Sequence, residues 1–152
     1  KWLLAHWEEQ EEGESNPGWK PGLLRLPLEG EWELAAGGAK PEGRYPWDKA
    51  GQATTEVDEI LRRANVNASG IGRTTPVGMY PQSASQPYGI FDLAGNVWEW
   101  QANYRDKDHD VLALRGGSWC LPHGLARVAE RYDARPGNEW GDIGFRVARN
   151  AE

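Results

Sequence analysis

The chain has 152 residues, a formal net charge of −6 and a hydrophobic content of 39%, enough for one domain but not obviously for two. Its single cysteine excludes an internal disulfide, no basic block points to a nucleic acid, and no apolar run reaches the roughly 18 residues of a membrane span. The 9 Trp, 19 Gly and 10 Pro predict a core of large aromatic side chains within much irregular backbone.

The chain begins at Lys1 without Met, so we expect it to be a piece of a longer protein. The lack of a disulfide pattern and of a signal-peptide pattern favours the cytoplasm.

The first third of the chain predicts two short helices. Residues 1–12 are amphipathic, with Leu3 and Trp7 on one face and glutamates on the other. Pro27 favours the start of a second helix, which would turn Trp32 inward and end at the glycine pair after Ala36.

The middle of the chain is mostly loop. Residues 54–65 predict one or two helical turns, whereas residues 66–88 show little periodicity and much Gly, Pro, Ser and Asn. Loops of that length are usually functional or disordered.

The last third has β character. The stretch "NVWEWQANY" (96–104) alternates as a strand with Trp98 and Trp100 on one face, and "VLALRGGSW" (111–119) and "IGFRVAR" (143–149) predict two more strands. Because so aromatic a face belongs in a core, we expect at least two of the tryptophans in these strands to be buried.

Two carboxylates, Asp92 and Glu99, lie seven positions apart around a Gly-Asn turn. Carboxylates beside exposed carbonyls form an oxygen cage suited to Ca²⁺. In the alternative, Asp92 caps the turn and Glu99 pairs with an arginine, Arg115 or Arg146. The three histidines lack paired spacing, so a transition-metal site is not indicated.

Two other groups have a functional and a structural interpretation. Cys120 is either a reactive thiol or, as we favour, a small buried residue. Four arginines form either a clamp for an anionic ligand or a set of structural ion pairs, and we favour ion pairs for all of them except Arg135. These are Arg127, Arg131, Arg135 and Arg146, accompanied by Glu130 and Asp133.

Six motifs in order resemble those of the formylglycine-generating-enzyme superfamily (sulfatase-modifying-factor type). They are "RLPLEGEWELAAGG", "YPW", "TTPVGMYP", "YGIFDLAGNVWEW", "LRGGSW" and "IGFRVAR", spread over residues 22–149. The resemblance implies an α+β, C-type-lectin-like fold with short twisted antiparallel strands, few helices and much irregular loop. Residues 1–152 would form a single domain, the later part of the family domain.

The resemblance also implies a structural Ca²⁺ site. Its ligands would be the side chains of Asp92 and Glu99 and the carbonyls of Gly95 and Val97. A second family site falls on Asn65, Val66, Ser69 and Ile71, where Ser69 replaces the acidic ligand.

The catalytic branch of this superfamily oxidises a substrate cysteine with copper held by two cysteines after the GGS motif. This chain has only Cys120, and the matching positions fall near Pro122 and Ala126 or Arg127. Iron-dependent members take their metal from a separate helical domain, so we expect neither copper nor iron here.

The segment from Cys120 to Asp142 also resembles variable proteins of diversity-generating retroelements. In that frame Arg127, Ala129, Arg131, Pro136 and Ile143 would face inward and the residues between them would bind a ligand. The expected ligand-binding residues are Cys120, Leu121, His123, Gly124, Tyr132, Asp133, Arg135, Asn138, Trp140 and Asp142.

The sequence therefore predicts a non-catalytic module that binds a protein or a small molecule, with no nucleic-acid or membrane partner. Two alternatives stay open: an oxidase- or oxygenase-related enzyme of the superfamily, and a structural domain of a larger signalling protein.

Overall fold

A computed structural model describes residues 24–38, 44–105 and 110–149 of the chain. It divides into two compact units, one being Leu26–Arg146 and the other combining Lys1–Arg25 with Val147–Glu152. The helix expected over residues 1–12 lies outside the described residues, and the single-domain expectation stays a prediction.

The described regular elements are six short strands and two helices, joined by irregular segments and 3₁₀ turns. They are β1 (Leu24–Arg25), α1 (Glu29–Ala35), α2 (Val57–Leu61), β2 (Trp98–Tyr104), β3 (Leu112–Arg115), β4 (Arg131–Ala134), β5 (Ile143–Gly144) and β6 (Ala148–Arg149). The predicted α+β class with few helices is confirmed. In the part of the chain that is described, no helix is long and apolar enough to cross a membrane.

In the terminal unit β1 pairs with β6, antiparallel. The larger unit contains a four-stranded sheet in the order β4-β3-β2-β5, in which only the β2–β5 pair is parallel. Because β4 and β5 occupy opposite edges, the chain between them, residues 135–142, must cross the sheet. We call it the crossing segment.

Helix α1 begins and ends where local chemistry dictates. The Glu31 carboxylate reaches back to accept the N–H of Leu28 at 2.8 Å, which satisfies one free donor of the first turn. Gly37 and Gly38, with φ of 103° and 80°, cap the last carbonyls, as the glycine pair predicts. Pro27 is not the first helical residue, because the helix begins two residues later at Glu29. The Pro27 carbonyl accepts the N–H of Ala102 at 2.9 Å.

The two faces of the sheet carry different side chains. One face carries Glu99, Gln101 and Arg115, all buried, where α1 packs on β2 and β3. The other face carries Trp98, Leu114 and Ala134, which form an apolar cluster. Of the strand tryptophans only Trp98 is buried, while Trp100 and Trp119 are half-buried, so the expectation of two buried tryptophans is wrong.

The predicted long loop is ordered by side-chain hydrogen bonds to its backbone. Asn96 bonds to both the N–H and the carbonyl of Thr75, and Asn65 donates to the carbonyl of Arg73 at 2.8 Å. A second apolar cluster lies beside this loop, where Ile60 of α2 packs on Tyr45 and other residues.

Two strand assignments need correction. "IGFRVAR" is not one strand: β5 and β6 belong to different sheets. The strand predicted over residues 111–119 ends at Arg115. In the predicted binding segment, Arg127 and Arg131 lie in different local structures. Arg127 follows a 3₁₀ turn, His123–Ala126, in extended backbone, and Arg131 begins β4.

Candidate functional site

The apolar face of the sheet carries an exposed aromatic pair. Tyr132 on β4 stacks on the buried Trp98 with ring centroids 5.9 Å apart, and Trp140 of the crossing segment lies 6.2 Å from Tyr132 at a tilt of 54°. Tyr132 is 50% exposed and Trp140 45% exposed. We call these two side chains the aromatic pair. Their rings are supported from below and open to solvent above.

The other predicted binding residues separate into different environments. Arg135 is exposed, while Asp133, on the opposite side of β4 from Tyr132, pairs with Arg105 at 3.2 Å. Leu121 packs against the apolar cluster of the sheet instead of facing a ligand. Gly124 and Asn138 are half-buried. The predicted face is therefore not one continuous patch, and the aromatic pair is its best-defined part.

Cys120 and Asp142 contact each other. The Asp142 carboxylate accepts hydrogen bonds from the Ser118 hydroxyl at 2.7 Å and from the Cys120 thiol at 3.2 Å. Burial and the Asp142 carboxylate raise the pKa of the Cys120 thiol, although the Ser118 hydrogen bond lowers it. The thiol therefore stays protonated at neutral pH, which argues against a reactive thiol. Cys120 is half-buried, however, and not fully buried as expected.

His123 lies in a separate cluster around Tyr45, a residue that the sequence did not indicate as functional. The buried Tyr45 hydroxyl lies 2.9 Å from His123 Nδ1, and its ring stacks on Trp47 at 4.9 Å. The only sequence signal was the "YPW" motif, where an aromatic residue interrupts a Gly- and Pro-rich loop.

The expected inward frame is only partly present. Ala129 and Arg131 are exposed, whereas Arg127, Pro136 and Ile143 are half-buried. Arg131 is exposed because it lies on the edge strand β4. Its guanidinium pairs with the Glu29 carboxylate of α1 at 2.8 Å, so an ion pair rather than burial fixes its position. This ion pair agrees with the structural interpretation of Arg131.

Glu99 pairs with Arg146, one of the two arginines considered from the sequence. The guanidinium binds both carboxylate oxygens, at 2.6 and 2.7 Å, and the Trp32 indole N–H donates to the same carboxylate at 2.7 Å. The same guanidinium also donates to the Asp92 carbonyl at 3.1 Å. Arg146 thereby ties the Glu99 carboxylate to the backbone at Asp92.

The predicted Ca²⁺ ligands fit an ion poorly in this arrangement. Three hydrogen bonds to Glu99 leave about one of its four lone-pair positions, and a Ca²⁺ there would share the carboxylate with a cation. The Asp92 side chain accepts the N–H of Gly78 at 2.6 Å. Among the described residues, no group of three or more His, Cys, Asp or Glu side chains could hold a metal. Calcium at Asp92, Gly95, Val97 and Glu99 stays a prediction.

The turn between these carboxylates requires its glycine. Gly95 has φ of 75°, and a Cβ there would lie 2.4 Å from the Asn65 carbonyl oxygen. At the second family position, the Ser69 hydroxyl bonds to the Asn65 side chain at 2.9 Å and to the Val66 carbonyl at 2.5 Å. A hydroxyl thus links two of the oxygens that an ion would bind.

Comparison with known proteins identifies the family. Residues 4–151 match the model of the sulfatase-modifying factor enzyme 1-like domain. The inactive C-alpha-formylglycine-generating enzyme 2 of Bos taurus is 36% identical over 135 residues, covering 84% of this chain and 44% of that protein. The formylglycine-generating enzyme of Thermomonospora curvata is 35% identical over 147 residues, covering 82% of this chain and 48% of that protein.

A solved structure shares the fold. Treponema denticola variable protein 1 superposes with a TM-score of 0.67 at 30% identity, covering 84% of this chain and 48% of that one. The chain therefore spans less than half the length of these relatives. The sequence-based recognition of the superfamily is confirmed, and a relative named inactive together with a variable protein fits a non-catalytic module.

Proposed function

The chain belongs to the sulfatase-modifying factor enzyme 1-like domain family, and we propose that it is a non-catalytic binding module whose ligand contacts the aromatic pair. The observation that carries this proposal is that half-exposed Tyr132 stacks on buried Trp98, with half-exposed Trp140 tilted against Tyr132. Exposed aromatic rings held by a buried support offer large contact area with little side-chain entropy to lose.

The chemistry of the lone thiol supports a non-catalytic role. A copper site of the family type needs two thiolates, and this chain supplies one cysteine, whose pKa is raised. A ligand could be a protein or a small molecule, since aromatic rings and the nearby Arg135 side chain serve either.

We further propose that the sequence of this face varies between isolates. The likeness to a variable protein supports it, as does the exposure of Tyr132, Arg135 and Trp140 on β4 and the crossing segment. Sequencing the same locus in sibling isolates tests it. We expect changes confined to adenine-derived codons between Trp119 and Ile143, and changes scattered evenly along the gene would contradict it.

Binding itself is tested by screening the chain against libraries of synthetic peptides and glycans. Any ligand found should bind the Tyr132→Ala, Trp140→Ala double variant at least about 10-fold more weakly, the loss typical of interface aromatics. Tyr88→Ala is the matched control, because Tyr88 is 53% exposed and lies outside this face.

Melting curves establish that all three proteins are folded. A ligand that binds the double variant as tightly as the parent chain would contradict the assignment of the aromatic pair. So would a ligand whose binding the Tyr88 variant weakens to the same extent as the double variant.

A further inference from the structure

The Tyr45 hydroxyl is the centre of a polar cluster that the aromatic pair does not use. It lies 2.9 Å from His123 Nδ1 and 3.2 Å from the His123 carbonyl. Burial raises the pKa of Tyr45, although the Arg127 side chain near it lowers that pKa, so the hydroxyl keeps its single proton at neutral pH. If the hydroxyl donates this proton to Nδ1, the nearer acceptor, a neutral imidazole carries its own proton on Nε2.

Arg127 differs from the other arginines in its segment and from Arg146. Arg131 and Arg146 each pair with a glutamate, whereas Arg127 forms no ion pair with any described carboxylate. Its Nε–H is buried and has no acceptor. Because buried donors are normally hydrogen-bonded, this Nε–H calls for an acceptor that the described residues do not supply.

Another arginine and one carboxylate lie near this cluster. The chain that carries Arg44 runs beside Arg127, since the Val128 N–H donates to the Arg44 carbonyl at 2.9 Å. The Arg44 guanidinium donates to the carbonyls of Lys49 and Gln52 and has no carboxylate partner among the described residues. The nearest carboxylate to Tyr45 is that of Asp48, and it is occupied by the N–H of Tyr45 and by Thr54.

We propose that Arg127, with Tyr45 and His123, binds an oxyanion, the carboxylate or phosphate group of a ligand. The half-buried guanidinium supplies the charge and His123 Nε2–H a second donor, a combination suited to an oxygen-bearing anion. One charged contact without an enclosing pocket gives a dissociation constant on the order of 1 mM for the free anion. The proposal does not depend on the aromatic pair.

The experiment is an NMR titration of the whole chain with sodium phosphate and, separately, sodium acetate, at constant ionic strength. Saturable shifts of the Arg127 Nε–H and the His123 ring signals are expected with at least one of the two anions, and the arm that saturates identifies the anion class. Arg127→Met should weaken binding at least about 10-fold. Arg73→Met, which removes the same charge from an exposed site outside the predicted binding segment, should leave it unchanged.

Two further variants keep the result interpretable. Tyr45→Phe keeps the ring and the charge, so it serves if Arg127→Met fails to fold, and it should weaken binding severalfold. Trp140→Ala should not affect anion binding, which separates this site from the aromatic pair. Shifts that never saturate with either anion, or binding that Arg127→Met and Arg73→Met reduce equally, would overturn the proposal.

Discussion

Replacing Trp98 by Ala is the sharpest test of how the aromatic pair is supported. Trp98 is 3% exposed and packs on Leu114 and Ala134, with Tyr132 stacked above it. A buried indole removes about 200 Å² from water, which at about 25 cal/mol per Å² corresponds to about 5 kcal/mol. Measured truncations of buried Trp cost about 3–5 kcal/mol, since neighbours relax partly into the cavity. We expect a loss in that range.

The matched variant is Trp140→Ala, because Trp140 belongs to the same aromatic stack but is 45% exposed. Its truncation should cost about 1 kcal/mol or less. Denaturant unfolding followed by far-UV circular dichroism measures both changes as shifts of the midpoint at constant slope. Equal shifts for the two variants would refute the division into a buried support and an exposed contact surface.

Four other perturbations have defined outcomes. Arg146→Met should lower the free energy of unfolding by about 2–3 kcal/mol, since it leaves the Glu99 carboxylate without its cation, and an unchanged urea midpoint would contradict the pairing. If Ca²⁺ binds at the same carboxylate, the melting temperature should rise with millimolar Ca²⁺ and fall with chelator, whereas identical curves would exclude the ion. The Cys120 thiol should react with a disulfide reagent more slowly than a free cysteine at pH 7–8, because its pKa is raised and its thiolate forms only at higher pH. Asp142→Asn should speed that reaction, because it removes a carboxylate that raises the pKa of the thiol. Equal reaction rates for the variant and the parent chain would contradict this effect of Asp142. Gly95→Ala should destabilise by more than about 2 kcal/mol, because both its φ and the space at its Cβ disfavour a side chain, and a near-neutral melting curve would contradict this.

Features fixed by local chemistry were predictable from the sequence. The end of α1 follows from a glycine pair, and the alternation in β2 correctly placed Trp98 and Glu99 on opposite faces. Both depend on backbone preference and periodicity over a few neighbouring residues.

Features that depend on distant partners were not predictable. The burial of Glu99 requires Trp32 of α1 and Arg146, which compensate a carboxylate that alternation alone assigns to solvent. β4 was missed because "RYDA" has little apolar alternation and is held by strand pairing and by the Arg131–Glu29 ion pair. Likewise the Tyr45–His123 contact joins residues 78 positions apart, a distance at which no spacing rule applies.

The crossing segment is constrained in length far more than in sequence. β4 and β5 are three inter-strand spacings apart, about 14 Å, and the register offsets Ala134 from Ile143 by about four residues along the strands, a further 13 Å or so. The crossing segment must therefore span about 20 Å. That distance needs about six residue-to-residue steps of extended chain, and nine such steps are available between Ala134 and Ile143. Substitutions in it alter side chains without moving its anchors, but losing more than about three residues would pull the edge strands out of register. The crossing segment therefore tolerates point substitutions better than deletions.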